Sequence, residues 1–409
     1  MASLASRLLL ADCDQMFVAV ARLVDPLGAG KASLLVVGGS ATSRGVVCSA
    51  SYEVRAFGVR SGMPIARAAR LCPAAMFVPV PRKACGEKSR QIRAILDRWT
   101  PRVEAASIDE FYLDLTGTEA LYHHEPLADT ASRIRDEVRA ESGLTLSLGG
   151  GTNRLVAKLA AERAKPRPGS RGTGVHVVQP GREAEFLATH QLAEIPGVGP
   201  RLQAKLRSVG LVAVRDALKV TEREFEAWLG PRTARWLYQR IRGIAAAAVE
   251  PAGEPKSMSR EETFPTDIAD PGRLDTELLR LTTRLCADLR KAGLQARCVT
   301  VKLRDDDYVT RQASRTLGVS FQADRVAFEV ARDLLAGLSA RRRCPARLLG
   351  IGFSRFEATV ESGQLGLMGL KETGPETARD RAVARVLDRV NRRFGAATLG
   401  PARLASRAE

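Results

Sequence analysis

The 409-residue chain has little of what builds cross-links, soft-metal sites or membrane spans. Its seven cysteines, Cys13, Cys48, Cys72, Cys85, Cys286, Cys298 and Cys344, are scattered, odd in number and never form a Cys-x-x-Cys pair. That pattern argues against a disulfide framework and against zinc, and for a reducing, cytoplasmic setting. Only 4 histidines are present, and the adjacent His123 and His124 lie in a polar stretch without thiol or acidic ligands at metal-binding spacing. They read as surface residues. The apolar run near the N-terminus, Leu8-Leu9-Leu10-Ala11, is broken by Asp12, so neither a signal peptide nor a membrane span is expected. Acid is scarce as well: 46 Asp and Glu face 63 Lys and Arg, for a net charge of +17 and a pI near 10.1. Such a surplus points to a polyanionic partner, nucleic acid ahead of an anionic membrane. With 45% apolar and 27% charged residues the chain is otherwise an ordinary globular one, long enough for two or three domains.

Against this basic background one acidic stretch stands out. Ser107-Ile108-Asp109-Glu110-Phe111-Tyr112-Leu113-Asp114 sets two adjacent carboxylates at the mouth of an apolar, strand-like segment. Its partner is Asp12-Cys13-Asp14, at the end of the buried strand that Leu8 to Ala11 predicts. Acidic strand ends side by side repel one another and raise each other's pKa unless a cation lies between them. Mg²⁺ suits the place, being a hard ion that takes oxygen ligands and keeps positions open for substrate phosphates. The expectation is a two-metal phosphoryl-transfer site with ions roughly 3.5 to 4 Å apart.

The elements around these acids follow from periodicity. A helix can start directly behind Asp14, with Phe17 one turn from the metal site, either as a core aromatic or as a flat wall against a nucleotide sugar. Ile92, Ile95, Leu96 and Trp99 mark one face of an amphipathic helix, as do Leu127, Ala131, Ile134 and Val138, while Leu144, Leu146 and Leu148 alternate as in a strand. The order strand, helix, strand pair, helix, strand is ferredoxin-like and would place Asp12, Asp109 and Glu110 on neighbouring strands. Tyr52 and Arg55, three apart, would face the same way on a helical turn and suit phosphate oxygens. Gly149-Gly150-Gly151 is not a Walker A loop, since no Gly-Lys-Ser/Thr follows, and it reads as a tight strand-to-helix turn. Lys158 and Lys165 are the charges of the helix beyond it.

Downstream, Ile195-Pro196-Gly197-Val198-Gly199-Pro200 predicts a helix-hairpin-helix, whose free backbone N–H groups grip a nucleic-acid backbone without reading its sequence, with Lys205 facing outward. Leu229-Gly230-Pro231 suggests a degenerate second copy. Residues 244–255, rich in Ala, Gly and Pro, read as a linker. Beyond it Val299, Val301 and Leu303 alternate with Thr300, Lys302 and Arg304, and a following strand carries Arg311 and Arg315. One apolar sheet face is expected, with basic groups free to track phosphates. Asp305-Asp306-Asp307 lacks the spacing of a calcium loop and reads as an exposed turn. The tail holds a sticky peptide around Gln364, Leu365, Leu367 and Met368, fit for a groove on another protein. It also holds a final helix with Val383, Val386, Leu387, Val390 and Phe394 on one face.

Taken in order, these motifs resemble the Y-family, translesion DNA polymerases, most of all the bacterial ones. The likeness runs to about Phe356 and rests on Asp12-x-Asp14, Tyr52-Glu53-Val54-Arg55-x-Phe57-Gly58-Val59, Ser107-Ile108-Asp109-Glu110-x-Tyr112-Leu113-Asp114, Ala164-Lys165-Pro166, Ile195-Pro196-Gly197-Val198-Gly199, Lys256-Ser257-Met258-Ser259 and Glu261-Glu262-Thr263-Phe264. It implies an α+β multidomain, right-hand polymerase. The ferredoxin-like palm would be residues 1–15 and 82–172, small fingers 16–81, a helix-hairpin-helix thumb 173–243, a linker 244–256, an α/β little finger 257–355 and a tail 356–409. By the same resemblance Asp12, Asp109 and Glu110 hold two Mg²⁺ ions with the Cys13 carbonyl as a further ligand. Ser49, Tyr52, Arg55 and Lys165 contact the dNTP triphosphate, and Phe17 is a steric gate against ribonucleotides. The segment from Gln364 to Met368 resembles a sliding-clamp-binding peptide. Met16, Ala21 and Met368 depart from the usual residues at their positions.

The expected protein is thus a monomeric, cytoplasmic, nucleoid-associated DNA polymerase acting on primer-template DNA, without proofreading. A catalytically silent, polymerase-shaped DNA-binding protein is the main alternative, and such relatives lose the carboxylates kept here at Asp12, Asp109 and Glu110. A palm-fold nucleotidyl cyclase would share the paired acids but has no use for the hairpin or the basic sheet.

Overall fold

The computed structural model describes residues 6–166, 172–250, 253–341, 344–358, 376–395 and 398–404. Contacts divide the chain into two units, Met1–Gly253 and Glu254–Glu409. The strands, in chain order, are β1 Leu8–Cys13, β2 Leu35–Val37, β3 Ser49–Ala50, β4 Met76–Val78, β5 Val103–Ala105, β6 Glu110–Asp114, β7 Leu146–Gly151, β8 Val175–Val177, β9 Ser257–Ile268, β10 Leu294–Asp305, β11 Thr310–Phe321 and β12 Ala346–Ala358.

In the first unit the main sheet has the order β5-β6-β1-β7-β8. Strand β1 lies in its middle and runs antiparallel to both neighbours. All six of its residues are buried, as a central strand covered on both faces must be. One cover is formed by helices Arg82–Leu96 and Leu127–Ser142, which bury Ile92, Ile95, Leu96, Ala131, Ile134 and Val138 together with Leu9, Phe111, Leu113 and Leu148. These are the residues whose helical spacing marks the apolar faces in the sequence, and each fully buried one contributes about 1.5–3 kcal/mol.

The other cover is the helix Arg154–Ala164, and it corrects the reading of the glycine triplet. Gly149, Gly150 and Gly151 are not a turn. They lie within β7, paired with Leu10, Leu9 and Leu8 of β1. The lack of a side chain at 149 and 151 lets the helix rest directly on the strand: a Cβ on Gly149 would stand 1.9 Å from the Ala161 nitrogen and 2.2 Å from the Ala157 oxygen, and one on Gly151 2.6 Å from the Val156 side chain, while Gly150 faces Val177 and Leu9. The strand-to-helix turn falls instead at Asn153, whose side chain caps the helix by accepting from the Val156 N–H.

A three-stranded sheet, β3-β2-β4, packs with helix Ile65–Leu71 around Val36, Val54, Ile65 and Ala68. Residues 192–241 form two helical pairs around Phe225 and Leu237. Gly197, at φ +98°, makes the first turn, and the ring of Trp236 from the second pair sits where a Cβ would be, at 2.6 Å. Gly230, at φ +79°, joins the helices of the second pair.

The second unit is a sheet of order β11-β10-β12-β9 with helices Pro271–Lys291 and Asp324–Ala340 on one face. Asp270 caps the first of these, accepting from Gly272 and Arg273, with Pro271 at its first position. Val299, Val301 and Leu303 are buried against the helices. The final helix, Ala378–Phe394, covers its apolar stripe only in part, with Leu387 and Val390 half-buried. Val383, Val386 and Phe394 are exposed, and the buried contact is made by Ala384. Charge holds the helix in place: Asp388 accepts from Arg290 at 2.6 and 2.8 Å, and Asp380 from Arg325 at 2.9 Å.

Two glycine substitutions should therefore act with opposite sign. Gly149→Ala forces the helix off the sheet and should lower unfolding free energy by about 2–3 kcal/mol. Gly337→Ala, on an exposed helix position with open space around it, should raise it by about 0.5–1 kcal/mol. Urea unfolding followed by circular dichroism checks both.

Candidate active site

Backbone pairing gathers the acids. Asp12 lies across from Glu110 on one side and Ser147 on the other, and the Cys13 N–H donates to the Asp109 carbonyl at 2.9 Å. The three side chains, however, face different partners. Lys165 Nζ is 2.8 Å from Asp12 Oδ2. Lys158 Nζ donates to both Glu110 oxygens, at 2.7 and 2.8 Å. Asp109 Oδ1 accepts from Ser107 Oγ at 2.5 Å. Among the described residues no three His, Cys, Asp or Glu side chains stand close enough to form a ready cage for a metal ion. Two ammonium groups supply the positive charge that a cation would bring.

The donor set nevertheless fits a hard divalent cation. Asp12 is 7% exposed, and burial pushes its carboxyl up from 3.8 to about 6 although Lys165 pulls the other way. Such a group gains from a further positive charge. Burial, reinforced by the neighbouring aspartates, pushes the Cys13 thiol well above its usual range, so no thiolate competes and the available ligands are oxygens. Asp14 is buried and accepts from Ser147 Oγ at 2.7 Å, while burial raises its carboxyl as well.

The turn behind β1 is made by Gln15, a non-glycine residue at φ +49°, a conformation that costs roughly 1–2 kcal/mol. It allows helix Met16–Val24 to begin at once behind the acids. Phe17 is half-buried against the cores of both neighbouring sheets, and Met16 and Ala21 are buried. Ser49 is buried in β3. Arg55 Nε donates to the Ala50 carbonyl at 2.9 Å, and its guanidinium lies 5.0 Å from the Tyr52 ring centre. Burial pushes the Tyr52 phenol up, as does the Asp14 charge, while Gln15, Arg55 and Lys165 act against it. Tyr52, Arg55 and Lys165 thus share the electrostatic neighbourhood of the acid end of β1.

Two features escape motif reading. Ser107 accepts the N–H groups of Asp109 (3.2 Å) and Glu110 (3.0 Å) while donating to the Asp109 carboxylate, so it sets the turn that presents both acids. Lys158 is paired with Glu110, and it lies about two helical turns from Lys165 on one face, a spacing visible in the sequence but ambiguous without the sheet.

The residues expected to meet nucleic acid divide into two groups. Gly199 opens the exposed N-terminus of helix Pro200–Ser208, and Lys205 is exposed on the same helix. In the second unit Lys302 and Arg304 lie on the face away from the helices, Lys302 2.9 Å from the Glu261 carboxylate and Arg304 bonded to Thr310 Oγ1 at 2.8 Å. Arg311 and Arg315 do not join them, contrary to expectation. They pair with Leu303 and Val299 and so share the helix-covered side. Arg311 donates to buried Asp305 at 2.6 Å and to the Leu338 carbonyl, and Arg315 to Asp333 at 3.1 Å. Strand alternation decides the point: a residue opposite a buried leucine faces the same way as that leucine. Gln364, Leu365, Leu367 and Met368 lie outside the described residues.

Residues 11–162 match the model of the impB/mucB/samB family, 255–367 that family's C-terminal domain, and 193–245 the thumb domain described for DNA polymerase-iota. DNA polymerase IV of Dehalococcoides mccartyi (strain CBDB1) is 36% identical over 389 residues, 95% of each chain. That of Halorhodospira halophila (strain DSM 244 / SL1) is 37% identical over 348 residues, 85% of this chain and 94% of the other. Among solved structures, a Y-family DNA polymerase chimera of Dbh and Dpo4 superposes with a TM-score of 0.74 at 26% identity, covering 85% of this chain and 98% of that one. The insertion ternary complex of Dbh DNA polymerase gives 0.59 at 27% identity over the same shares.

Two expectations follow from the geometry. A native Asp12 carboxyl at about 6 against 3.8 binds its proton more tightly folded than unfolded, so its contribution is favourable at low pH and is lost as pH rises through that interval. In EDTA, Asp12→Asn should gain about 2–3 kcal/mol on wild type between pH 4 and pH 7.5, read from urea midpoints. For the second unit, Lys302→Ala with Arg304→Ala should weaken duplex binding and flatten its salt dependence by about two counterions, while Arg315→Ala should leave both unchanged in anisotropy titrations.

Proposed function

We propose a reaction centre for a chain that belongs to the impB/mucB/samB family, the Y-family DNA polymerases: Asp12, Asp109 and Glu110 hold two Mg²⁺ ions, with the Cys13 main-chain carbonyl as a further ligand. The chain is a template-directed, divalent-metal-dependent DNA polymerase of the low-fidelity translesion class, with a helix-hairpin-helix thumb, acting on primer-template DNA with dNTPs. The observation that carries the proposed centre is the register of β1 on β6, which sets buried Asp12 across from Glu110 and bonds Cys13 to Asp109.

When bound, the ion pair lowers the pKa of the primer 3′-hydroxyl and stabilises charge on the α-phosphate and the leaving pyrophosphate. The chain's own groups do the positioning. Ser49, Tyr52, Arg55 and Lys165 hold the triphosphate, the Arg55 fork being pre-set by its bond to Ala50. Lys165 exchanges Asp12 for phosphate oxygens as the nucleotide enters. Phe17, at the start of its helix, stands against the sugar and excludes a 2′-hydroxyl. Gly197, Gly199 and Lys205 grip the DNA backbone from the thumb, and Lys302 and Arg304 from the little finger. The partition into palm 1–15 and 82–172, fingers 16–81, thumb 173–243 and little finger 257–355 belongs to the same reading. So does docking of the peptide Gln364, Leu365, Leu367 and Met368 on a sliding clamp by a monomeric, cytoplasmic, nucleoid-associated enzyme.

Primer extension with Mg²⁺ and all four dNTPs tests the centre. Asp109→Ala should lose at least about a thousandfold in rate while binding primer-template normally, and retained extension would remove the metal assignment. In the same assay Phe17→Ala should raise ribonucleotide incorporation at least about tenfold, and an unaltered sugar preference would return Phe17 to the core. Deletion of 364–368 should abolish stimulation by the clamp and spare unstimulated synthesis; an undiminished clamp response would place docking elsewhere.

A further inference from the structure

We infer that Lys158 is a positioning residue for the Glu110 carboxylate, holding it in place while no divalent cation is bound and competing with the cation for the same oxygens. The inference rests on the ligand assignment proposed above and concerns how the cation gains access to it.

One side of helix Arg154–Ala164, together with its C-terminal Lys165, meets three adjacent strands, and each strand offers one carboxylate. Arg154 pairs with Glu104 of β5 at 2.5 Å, Lys158 with Glu110 of β6, and Lys165 with Asp12 of β1. Steps of four and seven residues keep the three cations on one side of the helix. The first pair is a fixed brace. Glu104 also accepts the Glu250 N–H at 3.0 Å, and Arg154 donates to the Ala248 carbonyl at 3.1 Å and lies 4.1 Å over the Tyr112 ring.

The second pair is different. Lys158 donates to Glu110 alone among the described residues, and it occupies both carboxylate oxygens. Those are the atoms through which Glu110 would ligate a metal. A cation held between both oxygens where Nζ now sits must displace it, so its arrival there is an exchange and not an addition. The Lys158 side chain is 33% exposed, which leaves water free to receive the displaced ammonium. A compact charge on a flexible stem is suited to this exchange. In the nucleotide-free enzyme the lysine therefore lowers affinity for a divalent ion. When a triphosphate brings its own negative charge, the balance tips to the metal.

Mn²⁺ binding to the full chain, without DNA or nucleotide, tests this by electron paramagnetic resonance of the free ion. Lys158→Met should bind Mn²⁺ about tenfold more tightly than wild type, and Lys158→Arg should stay near wild type. Unchanged or weaker binding by Lys158→Met overturns the inference. Should that variant not fold, the wild-type Lys158 side-chain ¹⁵N resonance, assigned by its loss in Lys158→Arg, should move on titration with Mg²⁺, and a fixed resonance overturns it equally. Glu110→Gln separates the two levels. If it leaves wild-type Mn²⁺ affinity untouched, the ligand assignment fails and takes this inference with it. If it weakens binding while Lys158→Met changes nothing, only the role of Lys158 fails.

Discussion

The acid end of the main sheet depends on how closely one helix lies on one strand. Because β7 carries glycine at 149 and 151, the backbone of helix Arg154–Ala164 comes within a reach of the sheet that a β-carbon would forbid. That proximity lets side chains as different in length as arginine and lysine meet carboxylates on β5, β6 and β1. The glycines thus act on electrostatics through packing, although none of them touches a charge.

The same region shows a conflict between chemistry and stability. Asp12 is buried at the end of a fully apolar strand, where a carboxylate costs free energy even with Lys165 beside it. Gln15 follows in a left-handed conformation, a second local cost within three residues. Both are tolerated because β1 is held on two sides by antiparallel pairing and covered by two helical layers. The surrounding core over-determines the strained segment.

Much of this was legible in the sequence, and the failures have specific causes. The ferredoxin-like order, the apolar faces of helices 82–96 and 127–142, the hairpin at Gly197 and the pairing of Asp12 with the Asp109-Glu110 stretch follow from periodicity and local turn chemistry. The glycine triplet reads as a turn because an isolated sequence does not reveal a close approach by a helix that comes later in the chain. A glycine demanded by a neighbour looks like a glycine demanded by a turn. Arg311 and Arg315 read as phosphate-facing because basic residues on a strand suggest solvent. Only the register against Leu303 and Val299 tells which face they occupy. Lys158 went unassigned because its partner lies 48 residues away on another strand.

The last helix offers a different kind of lesson. Val383, Val386 and Phe394 already lie exposed, and much of its seat on the second unit is made of guanidinium–carboxylate clasps, Arg290 with Asp388 and Arg325 with Asp380. The apolar share of that seat is small: Ala384 is buried and Leu387 and Val390 are half-buried. The segment is fastened like a buckle more than it is moulded into the body, so part of its hold weakens as salt rises.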